Sequence, residues 1–420
     1  MQISLVGINH HTAPLAIREK AAISSGRLAD SLSSLRSHVP QGVILSTCNR
    51  TEIYTTTNSN EDATEKAILD FLKVMLEVPD GELLKYIYAY RDMEAVRHLF
   101  RVASGLESMV VGEYEVLGQV RQALEVAEKT GVINLPLRHA FQSAIRTGRL
   151  VRERTGISRN ALSVSSVAVD LAAGAVGNLK KCAMLVIGAG EAGRLVAEVA
   201  IKRGVSLMVI ASRTRDRAQA LASVLNGVPT DFSDLDKELS VANIVVACAG
   251  APHRILGVNR IEAAMKKRPE LPLVIIDIAV PRNVEPEVSN IRNVFLYDID
   301  DLTGIADLNH QQRKNEIQRA EQIINSEVNK FDCWWHDLEI RPMVGALMSR
   351  AEEIRLTQLN KTLKRLPPLS DEQRENLETM TKSIVSRILK EPIQYLKTNG
   401  NNCQTELVKE LFNLKAERLQ

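Results

Sequence analysis

The chain has 420 residues, of which 45% are hydrophobic and 25% are charged, and its formal net charge is +2. This length predicts two to four domains, and the composition excludes a chain that is disordered throughout. A net charge so close to zero gives no argument for or against a nucleic-acid partner, so any basic surface must be local.

The five cysteines are odd in number and scattered, which is typical of a reducing compartment rather than of a disulfide framework. The first ten residues lack the basic region and the apolar core of a signal peptide. The sequence contains no run of about eighteen apolar residues, so we expect no membrane span. We therefore expect a soluble, cytoplasmic protein.

The first 90 residues alternate strand patterns with helix patterns, which predicts a small α+β domain whose sheet has one covered face. Residues 2–8 form the first predicted strand, and residues 25–39 form an amphipathic helix. His10 and His11 follow the strand without a CxxC or HxxxH partner, so a loop role is favoured over zinc and no metal site is predicted.

Residues 42–54, GVILSTCNRTEIY, place a cysteine and an arginine between two predicted strands, 42–46 and 51–57. An extended backbone directs residues i and i+2 to one face, so we expect Cys48 and Arg50 side by side. The cation would lower the thiol pKa, and its planar fork would suit a substrate carboxylate. The alternative is that Cys48 is a small buried hydrophobic residue.

A predicted helix after residue 92 carries His98 one position away from its apolar stripe, which is typical of a structural histidine unless the ring faces Cys48. Residues 105–119, GLESMVVGEYEVLGQ, then gather polar side chains around two glycines. This segment is interpreted either as the polar rim of a pocket or as the entry to a helix.

Three runs, at residues 46–54, 98–100 and 105–113, resemble the glutamyl-tRNA reductase family, whose members catalyse the first committed step of tetrapyrrole synthesis by the five-carbon route. The resemblance continues through residues 158–166 and the glycine motif described next. It covers essentially the whole chain, and the combination of motifs is highly specific.

Residues 138–159 contain six arginines and one glutamate, a local charge of +5. Arg146, Arg149 and Arg152 recur every three residues, so a helix would align them on one side. Such a face is either solvated or follows the phosphates of a nucleic acid. The resemblance implies a tRNA substrate, and both interpretations stay open.

Residues 182–193, CAMLVIGAGEAG, combine an apolar strand, a GxGxxG turn and the start of a helix, and a second apolar strand follows at 206–211. This context is typical of a dinucleotide-binding Rossmann domain, whose glycine turn and helix N-terminus receive the pyrophosphate. The predicted cofactor-binding residues of the turn are Gly188, Ala189, Gly190, Glu191, Ala192 and Gly193. Further apolar strands at 244–249, 273–279 and 294–297 predict a doubly wound sheet.

The second Rossmann strand is followed by Ser212, Arg213 and Thr214, where NAD enzymes carry an acidic residue on the ribose. A carboxylate would repel a 2′-phosphate, whereas arginine and hydroxyl groups would bind it. We therefore predict NADPH as the cofactor.

The C-terminal third is predicted to be helical. An apolar helical pattern runs from 308 to 338, and no proline or glycine interrupts the segment before Arg341. Two further helices are predicted at 343–366 and 371–396, and their apolar stripes would be buried best against a second copy. The predicted domains are 1–145 (catalytic), 146–305 (Rossmann with linker) and 306–420 (spinal helix and all-α dimerisation domain).

The resemblance implies that the protein reduces glutamyl-tRNA(Glu) with NADPH to glutamate 1-semialdehyde and releases the tRNA. Cys48 would form a thioester, and His98 would assist near this nucleophile. The residues implied around the glutamyl group are Thr47, Asn49, Arg50, Ser108, Glu113, Tyr114, Glu115 and Gln119. The resemblance further implies a V-shaped homodimer and transfer of the reactive aldehyde to glutamate-1-semialdehyde aminomutase.

Two other functions fit parts of the sequence. An alcohol or keto-acid dehydrogenase resembling shikimate dehydrogenase would explain the Rossmann pattern and residues 212–214, but not the Cys48 segment or the long C-terminal helix. A non-catalytic regulator that senses NADPH would leave Cys48 inert.

Overall fold

The computed structural model describes all residues except 1, 25, 58–60, 77–79, 159–163, 303–313, 400–409 and 413–420. The described chain divides into two compact units, Met1–Val328 and Asn329–Gln420. Arg159 and the first residues of the helix expected from 308 lie outside the described residues.

The N-terminal domain is built on a four-stranded sheet of β1 (Gln2–Asn9), β2 (Gly42–Ser46), β3 (Arg50–Thr57) and β4 (Tyr88–Arg91). The strands are in the order β2-β3-β1-β4, and every neighbouring pair is antiparallel. Every residue of β3 is buried, whereas most of the edge strand β4 is exposed. The expectation of one covered face is therefore wrong for the central strands, because helices cover both of their faces.

The helices of this domain pack around that sheet and position the loops at its edge. They are α1 (Leu15–Ala21), α2 (Leu28–Leu35), α3 (Glu61–Leu76), α4 (Asp80–Leu83), α5 (Asp92–Ala103), α6 (Glu115–Thr130) and α7 (Leu135–Arg154). Helix α2 is shorter than the predicted 25–39 segment, and α7 extends across the predicted domain boundary at 145.

The loop between α5 and α6 contacts Arg50 at the start of β3, and it contains two glycines with positive φ, Gly105 at 77° and Gly112 at 86°. A Cβ at Gly112 would lie 2.1 Å from the carbonyl oxygen of Ile157. The left-handed backbone and the close approach both require glycine at this position.

The second domain is a Rossmann domain with a six-stranded parallel sheet. Its strands are β5 (Ala183–Ile187), β6 (Leu207–Ala211), β7 (Val228–Thr230), β8 (Ile244–Ala247), β9 (Leu273–Asp277) and β10 (Val294–Asp298). They lie in the order β10-β9-β8-β5-β6-β7. The helices are α8 (Val164–Val176), α9 (Glu191–Lys202), α10 (Arg215–Leu225), α11 (Leu235–Leu239) and α12 (Val258–Lys266). Apolar cores on both faces of the sheet confirm the predicted doubly wound fold.

The C-terminal helices are α13 (Lys314–Leu363) and α14 (Asp371–Asn399). The predicted break before residue 343 is wrong, because α13 continues through Pro342. Proline inside a helix removes a hydrogen bond and costs about 3 kcal/mol. Its neighbours Ile340, Met343 and Leu347 are buried in the apolar core of the second unit, and this packing offsets that cost.

The apolar stripe of α14 is only partly covered within one copy of the chain. Leu389 and Leu396 are buried, whereas Met380, Ile384 and Ile388 are exposed. None of the described helices combines the length and the apolarity that a membrane crossing requires.

Replacement of Gly112 by alanine is expected to lower the thermal unfolding midpoint, because a left-handed backbone alone costs an alanine about 1–2 kcal/mol before the clash with Ile157 is relieved. The matched control is Gly118→Ala in α6, where an added Cβ meets nothing within 4 Å. There alanine should stabilise the helix by about 1 kcal/mol. Circular dichroism melts of both variants measure the shifts, and equal shifts would contradict the role of Gly112.

Candidate active site

The most densely bonded group near the predicted nucleophile is the carboxylate of Glu52 in β3, which is completely buried. It accepts hydrogen bonds from Arg50 Nη1 at 2.8 Å, Tyr54 Oη at 2.6 Å and Tyr88 Oη at 2.5 Å. His98 Nε2 lies 2.8 Å from the same carboxylate. Glu52 was not among the predicted site residues, although alternation along β3 puts positions 50, 52 and 54 on one face.

Burial alone would raise the pKa of Glu52, but the charges of Arg50 and His98 and the hydrogen bonds from His98 and Tyr54 outweigh it. The pKa therefore lies well below its usual range, and the carboxylate is ionised at neutral pH. Glu52 in turn holds the pKa of Arg50 above its usual value despite burial. This ion pair fixes the guanidinium and the imidazole in place.

Cys48 lies in the tight turn between β2 and β3. The Thr47 hydroxyl shapes this turn by accepting the backbone N–H groups of Asn49 at 3.1 Å and Arg50 at 3.2 Å. His10 N–H donates to the Asn49 carbonyl at 3.0 Å. The half-buried thiol packs into a small apolar cluster drawn from both domains of the first unit: Leu15, Met109, Val280 and Ile299.

The expected activation of Cys48 by Arg50 is wrong for this arrangement. The Arg50 guanidinium is directed to Glu52 and to the carbonyl of Glu107. Burial, with the charges of Glu113 and Glu115 adding to it, raises the pKa of the Cys48 thiol to about 12, and the cation that opposes them is Arg18. The structure thus describes a thiol held in its protonated form.

Glu113 and Glu115 form an acidic pair beside this thiol, at the junction of the 104–114 loop and α6. Burial raises the pKa of Glu113, against a hydrogen bond from Ser108. Burial, with Glu113 and Glu191 adding to it, raises the pKa of Glu115 to about 7. Because Glu191 is the first residue of α9, the glycine turn and the acidic pair belong to one electrostatic neighbourhood.

The remaining predicted substrate residues are less closely tied to Cys48. The Tyr114 side chain is 64% exposed, and its ring centroid lies 5.8 Å from the Arg152 guanidinium carbon. Ser108 is buried, and Gln119 is half-buried in the second turn of α6. The structure therefore brings together Cys48, Glu113 and Glu115, and the adjacent Arg50–Glu52–His98 group is linked to them through the charge of Arg50 on Glu113.

The arginines of α7 do not form one solvated row. Arg152 donates to the carbonyls of Ala103, Gly148 and Glu113, each at 2.8 Å, and so holds the site loop. Arg146 lies 3.7 Å from Glu327 in an ion pair, and Arg149 is exposed. The three-residue spacing predicted one uniform row of arginines on α7. In the structure some of these side chains are bonded within the protein and others are exposed to solvent.

The glycine turn after β5 fits a bound dinucleotide. A Cβ at Gly193 would lie 1.9 Å from the Gly188 carbonyl oxygen, and Gly188 has a φ of 128°, so the fold itself requires both glycines. A Cβ at Gly190, in contrast, meets nothing within 4 Å. Among the described residues nothing requires glycine at this central position, which is the point where a pyrophosphate approaches the backbone.

Residues 212–214 follow β6 at the same edge of the sheet. The Thr214 N–H donates to the Ser212 hydroxyl at 3.3 Å. The Arg213 side chain is exposed, and it makes no hydrogen bond or ion pair within the described part of the chain. Its guanidinium is therefore available for a ligand.

Replacement of Glu52 by glutamine is expected to destabilise the protein by about 3–5 kcal/mol at pH 7, because Arg50 is left buried without its counter-ion. Since the pKa of Glu52 is depressed, its stabilisation is complete above about pH 4.3 and is lost as the pH falls further. As the pH falls below this value, the thermal unfolding midpoint of the wild type should decrease through loss of the Glu52 contribution. The Glu52→Gln variant should not show this decrease. Tyr54→Phe, which removes one neutral donor, should cost only about 1 kcal/mol. Parallel acid profiles of wild type and Glu52→Gln would contradict this role.

Comparison with protein-family models divides the chain into three matched segments. Residues 6–155 match the glutamyl-tRNAGlu reductase N-terminal domain, and residues 319–414 match the glutamyl-tRNAGlu reductase dimerisation domain. Residues 170–305 match the shikimate / quinate 5-dehydrogenase model, which supports a nicotinamide cofactor for the Rossmann domain. The dimerisation match supports a homodimer.

Similarity to individual proteins extends over the whole chain. The glutamyl-tRNA reductase of Natranaerobius thermophilus is 38% identical over 99% of this chain and 93% of its own length. That of Pelotomaculum thermopropionicum is 40% identical over 99% and 94%. The solved structure of glutamyl-tRNA reductase from Methanopyrus kandleri is 34% identical, covers 98% of this chain and 99% of its own, and has a TM-score of 0.51. The chain belongs to the glutamyl-tRNA reductase family.

Proposed function

We propose that this protein reduces glutamyl-tRNA(Glu) to glutamate 1-semialdehyde with NADPH and releases the tRNA, as the first step of tetrapyrrole (porphyrin) biosynthesis by the five-carbon pathway. The observation that carries the proposal is the position of Cys48. Its thiol lies in the β2–β3 turn, near two carboxylates and in an apolar cluster that includes Val280 and Ile299 of the nucleotide-binding domain. A nucleophile at the junction of a substrate domain and a cofactor domain suits acyl transfer followed by reduction.

The first chemical step is transfer of the glutamyl group from tRNA to Cys48. The sulfur forms a bond to the ester carbonyl carbon, and the bond from that carbon to the ribose oxygen breaks. Glu115, whose pKa is about 7, accepts the thiol proton and returns it to the departing oxygen. A carboxyl group that titrates near neutral pH is suited to both transfers.

The charges around the thiol match the charges of a glutamyl group. Glu113 and Glu115 are complementary to its α-ammonium, and this positive charge would lower the pKa of Cys48 when substrate binds. Arg50 uses two of its five N–H groups on Glu52 and the Glu107 carbonyl, and the others suit the γ-carboxylate. Thr47 and Asn49 hold the turn, and His98 maintains Glu52 in position.

NADPH, when bound at the glycine turn, would supply the hydride that reduces the Cys48-bound acyl group to the aldehyde, and the carbon–sulfur bond would break to return the Cys48 thiolate. The protein's own contribution is to orient and to shield. Leu15, Met109, Val280 and Ile299 form an apolar wall that excludes water, and this wall protects a thioester from hydrolysis. The Gly188–Gly193 turn would hold the pyrophosphate, and Ser212, Arg213 and Thr214 the 2′-phosphate.

The tRNA and the second subunit would use other surfaces. Arg149 and Arg154 of α7 are exposed and suit phosphate contacts. In the second unit, an apolar groove of about 250 Å³ lined by Leu347, Ile354 and Ile388 suits burial against a second copy.

The aldehyde product is reactive, so direct transfer to glutamate-1-semialdehyde aminomutase is part of the proposal. A dehydrogenase resembling shikimate dehydrogenase would leave both flanking domains without a role.

Replacement of Cys48 by alanine is expected to abolish aldehyde formation, because no thioester can form. The matched control is Cys333→Ala in α13, whose side chain is exposed and which should keep full activity. The direct measurement is the mass of the Cys48 peptide after incubation with glutamyl-tRNA and without NADPH. Wild type should gain one glutamyl group, and turnover by Cys48→Ala would exclude the thioester.

Replacement of Arg213 by alanine is expected to lower kcat/KM for NADPH by about ten- to a hundredfold, since a charge-assisted contact contributes about 1.5–3 kcal/mol. The value for NADH should change little, and Ser212→Asp should invert the preference by repelling the 2′-phosphate. The control is Arg215→Ala, because Arg215 is directed to Asp231 at 3.5 Å. If both site variants keep the NADPH preference, the 2′-phosphate is bound elsewhere.

A further inference from the structure

Arg18 of α1 connects the Cys48 turn to the nucleotide-binding domain, although it belongs to none of the motifs considered above. Its side chain is only 3% exposed. Its Nε donates to the Ala13 carbonyl at 3.2 Å, and its Nη1 donates to the Cys48 carbonyl at 3.4 Å. The same Nη1 lies 3.5 Å from Asn49 Oδ1. One guanidinium thus holds the backbone of the nucleophile turn.

The other end of this guanidinium leaves the substrate domain. Arg18 Nη2 forms an ion pair with Asp300, which follows the last parallel strand β10. The Asp300 side chain is 44% exposed, and its backbone N–H donates to Asp298 Oδ1 at 3.0 Å. Asp300 therefore belongs to the carboxyl edge of the Rossmann sheet, the edge that also carries the glycine turn.

We propose that Arg18 is a positioning residue that couples docking of the nucleotide-binding domain to the reactivity of Cys48. The proposal deepens the function above and rests on it for its biological meaning. The contact geometry carries it, because the same side chain holds the Cys48 turn and an acidic group of the other domain.

The physical basis is that one positive charge is shared between two neighbours. With Asp300 in place, its carboxylate offsets the charge that Arg18 exerts on the thiol. Without Asp300, the full charge of Arg18 acts on Cys48 and favours the thiolate. Domain separation would therefore prepare Cys48 for acylation, and docking would return the turn to its shielded state.

Other charged groups act on this thiol, but they do not join the two domains at the turn. Glu113 from the loop and Glu115 from α6 oppose ionisation, and Arg18 from α1 favours it. The nucleotide-binding domain contributes Val280 and Ile299 to the apolar cluster at the thiol. Its charges reach the turn through the Asp300–Arg18 ion pair and through Glu191 near Glu115. His10, the other titratable neighbour of Arg18, has a pKa lowered to about 3 by burial, with His11, Arg50 and Arg18 adding to it, and so is neutral at working pH.

The next residue along α1 provides a second, independent test of docking. Glu19 accepts from Arg282 Nε at 2.8 Å, from Nη2 at 3.0 Å and from the Arg282 backbone N–H at 2.7 Å. This ion pair joins the same two domains and makes no contact with residues 47–49 among its described bonds. Arg282→Ala therefore loosens docking while Arg18 and Asp300 both keep their charged side chains.

The test is the pH dependence of Cys48 alkylation by iodoacetamide in the full chain, followed by the mass of the Cys48 peptide. No substrate or cofactor is present, so the result does not depend on the proposed activity. Asp300→Asn should lower the midpoint pH and raise the rate at a fixed pH below the midpoint by about tenfold, whereas Arg18→Gln should raise the midpoint. Arg282→Ala should lower the midpoint in the same direction as Asp300→Asn, because looser docking also withdraws Asp300 from Arg18, and an unchanged midpoint in this variant would contradict the coupling.

A purely structural anchor would give a different result. Loss of either partner would then loosen the turn in the same way, and Asp300→Asn and Arg18→Gln would move the midpoint in the same direction or not at all. Either outcome overturns the proposal. Because Asp300 is partly exposed, Asp300→Asn alone decides the question if Arg18→Gln does not fold. A wild type that forms no aldehyde would refute the proposed function and leave the alkylation result intact.

Discussion

The buried carboxylate of Glu52 is the constraint on which the substrate domain depends. An ionised group without solvent must be surrounded by donors, and this one receives them from β3, β4 and α5. The four donors fix the spacing of two strands and a helix at one point. They also fix two residues before any substrate binds: Arg50, which the family resemblance associates with the glutamyl group, and His98, which it places near the nucleophile.

This constraint has a consequence for the nucleophile. Because Glu52 and the Glu107 carbonyl engage Arg50, the reactivity of Cys48 depends on groups from other elements: Arg18, Glu113 and Glu115. Two of these are acidic and oppose ionisation, and the apolar contacts of Val280 and Ile299 add to their effect. The site is therefore composite, and the nucleotide-binding domain contributes to it through packing as well as through its cofactor.

In the GxGxxG turn, some glycines are required by the fold and another is left free for a ligand to approach. Gly188 and Gly193 are fixed by contacts within the protein, whereas Gly190 borders open space. The same distinction applies to the arginines of α7, where Arg152 holds carbonyl groups of the site loop and Arg149 faces solvent. A motif in the sequence contains both kinds of residue without distinguishing them.

The sequence by itself determined the elements whose causes are local. Apolar runs gave the strands of the Rossmann sheet, and the GxGxxG spacing located the dinucleotide turn, because both depend on residues a few positions apart. The Cys48 segment was likewise identified from neighbouring positions, namely two short strand patterns and the spacing of Cys48 and Arg50. The tertiary structure alone decided which groups meet: His98 is 46 positions from Glu52, and Arg18 is 282 positions from Asp300. It also decided where local rules fail, since packing keeps α13 helical through Pro342, and burial raises the pKa of a thiol that a nearby arginine was expected to lower. The physical reason is that burial and charge pairing depend on distances across the folded chain, which local patterns do not encode.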